Sequence, residues 1–298
     1  MIATLLAPLR APANVAVGPG DDAAILADGT ALTVDALVEG VHWDARLNAE
    51  DVGFKTLAVS VSDLASVGAK PAWALLTLAL PDEDLGWVSD FARGLAAACE
   101  RWGVALVGGD TVFTPGPKLV SLTLGGPCVA SPMLRSAAKP GHIVWATGSP
   151  GLASLGWRLS DPPQEALDAL RRPDPPVEFA LALARTGWVG AAMDLSDGLE
   201  RDLPRLCAAS GVGCVIDPDR VGRHRLLVDE HWANAVSGGD EYQLLFTTPP
   251  ERAQDVRELA DSFDVWVTPI GTCDDSGAAR LTDRAWPGAS FRHFGGRS

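Results

Sequence analysis

Residues 48–67 read Asn-Ala-Glu-Asp-Val-Gly-Phe-Lys-Thr-Leu-Ala-Val-Ser-Val-Ser-Asp-Leu-Ala-Ser-Val, which is the pattern of one long helix. Asn48 is placed to cap its N-terminus, and acidic residues fill the first turn. Val52 and Val59 follow at helical spacing, and Asp63 falls on the same mostly apolar stripe. An isolated buried charge is too costly, so Asp63 is expected to bind metal, to pair with an arginine or to cap a neighbour.

The sequence around this helix alternates short hydrophobic runs with one further helical pattern. A second helix is expected at about 83–102, ending at Gly103. Strands are expected at 23–26, 31–34, 73–80, 104–107 and 119–124. The resulting order of strand, strand, helix, strand, helix, strand, strand favours an α+β layer over a strictly alternating parallel sheet.

A polar Pro-Gly turn at 136–141 precedes a fresh buried strand at 143–147 and indicates a domain boundary. We therefore expect two domains, 1–137 and 138–298, in agreement with the chain length. Pro204 is expected to kink the last predicted helix or to delay its start. The elements expected in the second domain are helices at 164–170, 177–186 and 199–209 and strands at 214–216, 242–247 and 265–270.

Composition excludes several classes of partner. The formal net charge is −14, which argues against a nucleic-acid groove or an anionic membrane surface. The longest apolar run, 72–80, is far below the roughly 20 residues of a membrane helix. The start of the chain lacks a basic segment and is broken by Pro8 and Pro12, unlike a signal peptide. Five scattered cysteines without zinc spacing suit a reducing cytosol, so a cytoplasmic protein is expected.

Acidic motifs held by small residues recur along the chain. They are Gly18-Pro-Gly-Asp-Asp22, Thr33-Val-Asp35, Ser62-Asp63, Gly108-Gly-Asp110-Thr111, Asp194-Leu-Ser-Asp197-Gly198 and Ser237-Gly-Gly-Asp240-Glu241. Such carboxylates at strand ends and helix starts are typical ligands of Mg²⁺ in polyphosphate sites. Ordinary alternatives remain open for each motif, such as a turn capped by Asp21 or a helix N-cap at Ser196 or Asp197.

Two of these motifs carry further expectations. Asp35 is expected to end its strand and to face a cleft, with His42 in reach of an anionic ligand, although lone histidines are more often structural. Gly108 and Gly109 are expected to form a turn where the backbone approaches a ligand closely. The chain has no P-loop, no protein-kinase motif set and no G-x-S-x-G elbow, so a nucleotide site would be of another kind.

Eight segments, taken in order, resemble the thiamine-monophosphate kinases. They are GDDAA, TVDALVEGVHW, SVSDLASVGAKPAW, GGDT, LRSAAKPG, TGSPG, MDLSDGL and SGGDEYQLLF. The resemblance runs from about Gly18 to Phe294 and implies the two-domain fold of the aminoimidazole ribonucleotide synthetase superfamily. That fold has an N-terminal α/β domain that binds ATP and metal and dimerises, and a C-terminal α/β domain that completes the substrate site.

The resemblance also implies the reaction and its residues. ATP and thiamine phosphate would meet in a cleft across the two domains, where several Mg²⁺ ions bridge the phosphates and the γ-phosphoryl group passes in line to thiamine phosphate. The implied metal ligands are Asp22, Thr33, Val34, Asp35, Asp63, Asp110, Asp194 and Asp197. The implied ATP contacts are Gly109, Asp110, Arg135 and Ser196, of which Asp110 and Arg135 would join Asp197 in catalysis. The implied substrate contacts are His42, Asp240 and Phe291.

One departure from the family concerns the substrate. The family usually reads Gly-Gly-Glu-Asp-Tyr-Glu where this chain has Gly-Gly-Asp240-Glu241-Tyr-Gln. The anchoring carboxylate is therefore either shorter by one methylene or moved to Glu241. Two alternative functions stay open: another ATP-using enzyme of the superfamily (selenophosphate synthetase, aminoimidazole ribonucleotide synthetase or a hydrogenase-maturation enzyme), or a non-catalytic regulator that binds nucleotide or thiamine phosphate.

Overall fold

The first half of the chain forms one six-stranded sheet. The structure is a computed structural model that describes residues 2–6, 12–222, 224–227, 231–288 and 290. Its first strands are β1 (Val15–Val17), β2 (Ala24–Leu26), β3 (Thr30–Val38), β4 (Trp73–Leu80), β5 (Ala105–Phe113) and β6 (Leu119–Pro127). They lie in the order β1-β2-β3-β6-β4-β5, where only β4 and β5 pair in parallel. The helices of this half are α1 (Ile2–Leu6), α2 (Ala49–Ser66) and α3 (Leu85–Trp102).

The second half forms another six-stranded sheet. Its strands are β7 (Ile143–Thr147), β8 (Ala192–Leu195), β9 (Gly213–Ile216), β10 (Gln243–Thr248), β11 (Val267–Asp274) and β12 (Ala279–Leu281), in the order β12-β9-β11-β7-β10-β8. Its helices are α4 (Leu152–Arg158), α5 (Gln164–Arg171), α6 (Val177–Thr186), α7 (Leu199–Ser210), α8 (Trp232–Ser237) and α9 (Ala253–Ser262). Two mixed sheets with helices confirm the predicted two-part α/β architecture.

Helix α2 lies at the centre of the molecule. It begins with a capping box, in which Asn48 accepts from the Asp51 N–H and the Asp51 carboxylate accepts from the Asn48 N–H. The helix packs on α3 and on the first sheet, and it also contacts β8, β10, α5 and α6 of the second half. A single hydrophobic core accordingly contains Leu57 and Leu64 of α2 together with Trp145 and Phe246 of the second sheet. Burial on all sides explains why α2 is so rich in small and apolar residues.

The glycine pair at 108–109 lies inside a strand, so the predicted turn is wrong. Strand β5 continues through Phe113, and its register against β4 shifts between Leu106 and Gly108, which is the pattern of a β-bulge. A Cβ at Gly109 would lie 2.0 Å from the carbonyl oxygen of Leu76 on β4. The glycine is therefore required for close strand approach, and nothing in the local sequence distinguished that need from a turn. Strand β3 likewise continues beyond Asp35 to Val38 instead of ending there.

Most other predicted elements are confirmed, and several short ones were missed. The missed elements are α1, β1, β8, β12, α4, α8 and α9. Helix α7 starts at Leu199 and contains Pro204, so the proline does not delay its start. The first sheet ends at Pro127 and the second begins at Ile143, while the boundary at 137/138 itself stays a prediction. Within the described residues, no helix has the length and hydropathy needed to cross a bilayer.

The contact between α2 and α3 predicts a sensitive position. A Cβ at Gly94 of α3 would lie 1.8 Å from the carbonyl oxygen of Glu50, so the two helices cannot stay at their present distance. We expect Gly94→Ala to lower the free energy of unfolding by at least about 2 kcal/mol, measured by urea denaturation. Gly86→Ala in the first turn of α3 is the control, because its Cβ would meet only the Asp84 side chain at 3.2 Å. Equal stability of the Gly94→Ala variant and the wild type would contradict the close packing.

Candidate metal centre and active-site cleft

Three carboxylates converge where the two halves of the molecule meet. Asp22 follows the Gly20 turn before β2, Asp63 lies in the last turns of α2, and Asp194 lies on β8. One oxygen of each lies within 4.8 Å of the others. The position of Asp63 on the apolar stripe of α2 predicted that this carboxylate is not simply solvated. In the structure it lies beside two carboxylates from distant parts of the chain.

Hydroxyl groups hold this carboxylate cluster in place. Ser62 Oγ donates to Asp194 Oδ2 at 2.9 Å, and Ser66 Oγ donates to Asp22 Oδ2 at 2.9 Å. The two serines are four residues apart, so they lie on one face of α2 on either side of Asp63. Thr33 Oγ1 on β3 donates to Asp63 Oδ2 at 2.5 Å. The Ser-Asp-Leu-Ala-Ser segment therefore supplies one carboxylate of the cluster and orients the other two.

The cluster carries more negative charge than its surroundings balance. Burial raises the pKa of Asp63 well above its ordinary value, and the charges of Asp35, Asp194 and Asp22 raise it further. Burial and the neighbouring carboxylates likewise raise the pKa of Asp194. Such repulsion is relieved when a cation binds among the oxygens. An oxygen-only donor set of this kind fits Mg²⁺.

Arg135 is a positively charged residue in direct contact with the carboxylate cluster. Its Nη2 pairs with Asp22 Oδ1, and its backbone N–H donates to Asp21 Oδ2 at 3.1 Å. Its Nε is buried and makes no hydrogen bond within the described residues. Pairing of Arg135 with an acid is therefore what the structure shows, and the guanidinium retains a donor beside the cluster.

A cleft of about 500 Å³ opens beside the cluster. It brings together seven of the residues predicted from sequence, namely Asp35, His42, Asp63, Asp194, Ser196, Asp197 and Asp240. His42 Nδ1 accepts the N–H of Val38 at 3.0 Å, which fixes the orientation of the ring. The volume is that of an ordinary small-ligand site.

Three residues that line the cleft were not predicted from the sequence. Trp157 and Arg158 of α4 and the only tyrosine, Tyr242, line the cleft. Helix α4 was not predicted, and the one signal that could have found it is the Thr147-Gly-Ser-Pro-Gly151 segment immediately before it. Asp197 also has a second role, because its Oδ2 accepts from Arg205 Nη2 at 2.7 Å.

Two predicted site residues are not brought to the cluster within one chain. Gly109 and Asp110 lie on β5, three strands away from Asp35 on β3, which corresponds to about 14 Å at the usual strand spacing. Val34 has an exposed side chain but lies next to Thr33 on β3, and both line a shallow depression with Asp22. Phe291 lies outside the described residues.

The turn before β10 places the two candidate substrate carboxylates in different surroundings. Asp240 lines the cleft, whereas Glu241 is buried and accepts the N–H groups of Ala153 and Ser154 at the start of α4. Asp240 and Tyr242 both have positive φ, 72° and 51°, and their N–H groups donate to the carbonyl oxygens of Ser196 and Leu195 at 2.8 Å. Of the two, Asp240 is therefore the one placed to meet a ligand.

Glu241 provides a test of this assignment. Burial raises its pKa to about 8, although the N–H groups of Ser154, Ala153 and Gly151 partly stabilise the charged form. The folded protein then binds more protons than the unfolded chain between about pH 4.5 and 8, so Glu241 lowers stability progressively as pH rises through that window. We expect wild type to lose on the order of 4 kcal/mol relative to Glu241→Gln across the window, measured by urea unfolding.

The exposed Glu83→Gln variant should keep the wild-type pH profile. Parallel pH profiles for wild type and Glu241→Gln would show that the Glu241 carboxyl is not the buried group described here.

Comparison with known proteins agrees with this architecture. Residues 20–129 match the model of the AIR synthase related protein, N-terminal domain, and residues 139–284 match the corresponding C-terminal domain. The thiamine-monophosphate kinase of Salmonella typhimurium is 38% identical over 257 residues, covering 79% of this chain and 77% of the relative.

Solved structures of kinases are similar as well. The thiamine-monophosphate kinase from Stenotrophomonas maltophilia K279a has a TM-score of 0.79 at 33% identity, covering 92% of each chain. AaThiL complexed with AMPPCP and TMP has a TM-score of 0.86 at 26% identity, covering 98% of this chain and 96% of that one. With both halves matched by the family models and curated kinases similar over most of the chain, the chain belongs to the AIR synthase related family and, within it, to the thiamine-monophosphate kinases.

Proposed function

We propose that the chain transfers the γ-phosphoryl group of ATP to thiamine phosphate, giving thiamine diphosphate and ADP. The observation that carries this proposal is the cluster of Asp22, Asp63 and Asp194 at one side of a ligand-sized cleft. The AaThiL complex with AMPPCP and TMP supports the choice of ligands.

Mg²⁺ fits the carboxylate cluster. Asp22, Asp63 and Asp194 would hold it, with Asp35 close enough to raise the pKa of Asp63. When bound, Mg²⁺ neutralises the charge of the polyphosphate and of the carboxylates together. Asp197 and the backbone at Thr33 and Val34 are proposed as further ligands on the resemblance alone.

The chain's own groups position the reactants and balance charge. The acceptor is a phosphate monoester, already ionised near neutral pH, so no side chain has to remove a proton from it. Positioning and electrostatic stabilisation are then sufficient for in-line transfer. Arg135 offers its buried Nε beside the cluster, and His42 and Arg158 line the cleft. These groups are the proposed contacts for phosphate oxygens.

The first sheet has two strand edges without a complete partner among the described residues. Every residue of β5 is exposed, including Leu106, Val107, Val112 and Phe113, the last at 74%. An apolar edge strand of nine residues is an association surface unless something covers it. At the other side, β2 pairs with β3 only at Ala31 and Leu32, so residues 33–38 of β3 have no partner on that side among the described residues.

These two free edges suggest how the dimer forms. The four strands β3-β6-β4-β5 of two copies close into a barrel of eight strands if β5 of each lies beside β3 of the other, and eight strands enclose just enough space for side chains. Asp110 of one copy would then lie beside Asp35 of the other. We therefore propose a homodimer through the N-terminal domain, in which Asp110 and Gly109 complete the partner's site.

Two further expectations belong to the same proposal. The division into domains 1–137 and 138–298 agrees with the gap between the two family-model matches, 20–129 and 139–284. The five cysteines are all free, and free thiols favour a reducing compartment such as the cytoplasm.

The reaction itself is tested with Mg-ATP and thiamine phosphate, thiamine and the purine-pathway substrate side by side. We expect thiamine diphosphate from thiamine phosphate alone, and a loss of kcat of at least ~100-fold in Asp63→Asn because a cation ligand is removed. Asp90→Asn, on an exposed part of α3, is the control and should keep full activity. Release of ADP without thiamine diphosphate, or full activity of Asp63→Asn, would reject the proposal.

The shared site is tested by mixing two inactive variants. Asp63→Asn and Asp110→Asn should each be inactive alone, but a mixture refolded or co-expressed should regain about a quarter of wild-type activity, because half of the randomly paired dimers have one intact site. Product formation is the measurement. If Asp110 acted within its own chain, each mixed dimer would contain two defective sites and the mixture would stay inactive.

A further inference from the structure

Lys55 is a charged side chain with no exposed surface. It lies on α2, and its Nζ donates to Asp240 Oδ2 at 2.6 Å and to the carbonyl oxygen of Leu170 at 3.2 Å. Both acceptors belong to the second half of the chain. A buried lysine requires such partners, so this buried ion pair connects α2 to the turn before β10.

Asp240 gathers three donors. Besides Lys55, the indole Nε1 of Trp157 donates to Oδ2 at 2.6 Å, and the Tyr242 hydroxyl donates to Oδ1 at 2.8 Å. Burial favours the neutral form of Asp240, but the charge and hydrogen bond of Lys55, together with the hydrogen bonds of Trp157 and Tyr242, outweigh it and lower the pKa of the carboxyl. A carboxylate accepts about four hydrogen bonds, so one position is left for a further donor.

The two aromatic donors form a wall of the cleft, whereas Lys55 is not among its lining residues. The Arg46 guanidinium lies 5.5 Å from the centroid of the Trp157 ring, and Lys55 Nζ lies 6.0 Å from that of Tyr242. Each ring is thus held by Asp240 and by a cation. Asp63 and Asp194 of the carboxylate cluster line the same cleft, and the phosphates are proposed to bind beside them.

We infer that Lys55 is a positioning residue for the phosphoryl acceptor: through Asp240 it orients the Trp157 and Tyr242 rings on which a planar heteroaromatic acceptor lies. The remaining acceptor position of Asp240 suits one ring-borne N–H donor. Lys55 also balances the charge of Asp240, so that carboxylate stays ionised without a ligand. This inference rests on the proposed function, since it assigns the non-phosphate part of the same substrate.

If the Lys55–Asp240 ion pair only stabilised the fold, its removal would not change the affinity for thiamine phosphate. Replacing both members of a buried ion pair by neutral residues of similar size often leaves stability unchanged, whereas removing one member leaves the other charge unpaired. The double variant Lys55→Met/Asp240→Asn therefore separates the two roles. It keeps a carbonyl acceptor at position 240 but removes the charge that fixes it.

We expect the double variant to unfold cooperatively and to show a KM for thiamine phosphate raised at least ~10-fold, with the KM for ATP within about twofold of wild type. The single variants Lys55→Met and Asp240→Asn complete a double-mutant cycle. Where both single variants fold, the KM of the double variant for thiamine phosphate should not exceed the higher of the two single-variant values, because Lys55 acts only through Asp240. An unchanged KM for thiamine phosphate in the folded double variant would overturn the inference, as would equal increases in both KM values or multiplicative single effects.

The matched control is Arg101→Met/Asp174→Asn, which removes another ion pair between the two halves, outside the cleft. Both KM values should stay at their wild-type levels there. Failure of the two proposals can be told apart. A wild-type protein that makes no thiamine diphosphate rejects the proposed function, whereas an active wild type with an unchanged double variant rejects only the role of Lys55.

Discussion

Mutual repulsion among buried carboxylates is the constraint on which the rest of the molecule depends. Asp22, Asp63 and Asp194 come from three distant parts of the chain and are held by hydroxyls, two of them from α2 itself. Bringing these charges together costs free energy, which the extensive burial of α2 between the two halves must offset. The central position of one long, small-residue helix follows from that requirement.

Helix α2 also sets the length of the cleft. Lys55 and Asp63 are eight residues apart, which is about 12 Å along a helix. Asp63 serves the carboxylate end of the cleft, and Lys55 holds the aromatic end through Asp240. Because both side chains belong to one helix, α2 fixes the separation between the Asp63 carboxylate and the cation that pairs with Asp240.

Much of the fold and part of the site could be predicted from local sequence patterns. The ends of α2 and α3 and the burial of Asp63 followed from caps and helical spacing, which neighbouring residues determine. The glycine pair on β5 could not be interpreted this way, because its cause is the carbonyl oxygen of Leu76 on another strand. The burial of Lys55 could not be predicted from the sequence either, because its partner Asp240 lies 185 residues further along the chain.

The raised pKa values of the carboxylate cluster have a consequence for how the protein responds to its surroundings. A proton and a cation compete for the same carboxylate oxygens, and the raised pKa values of Asp63 and Asp194 strengthen that competition. Occupancy by a divalent ion is then coupled to acidity: a fall in pH competes with the ion directly at Asp63 and Asp194. Occupancy of the proposed Mg²⁺ site would then follow the ratio of free magnesium to protons, and not magnesium alone.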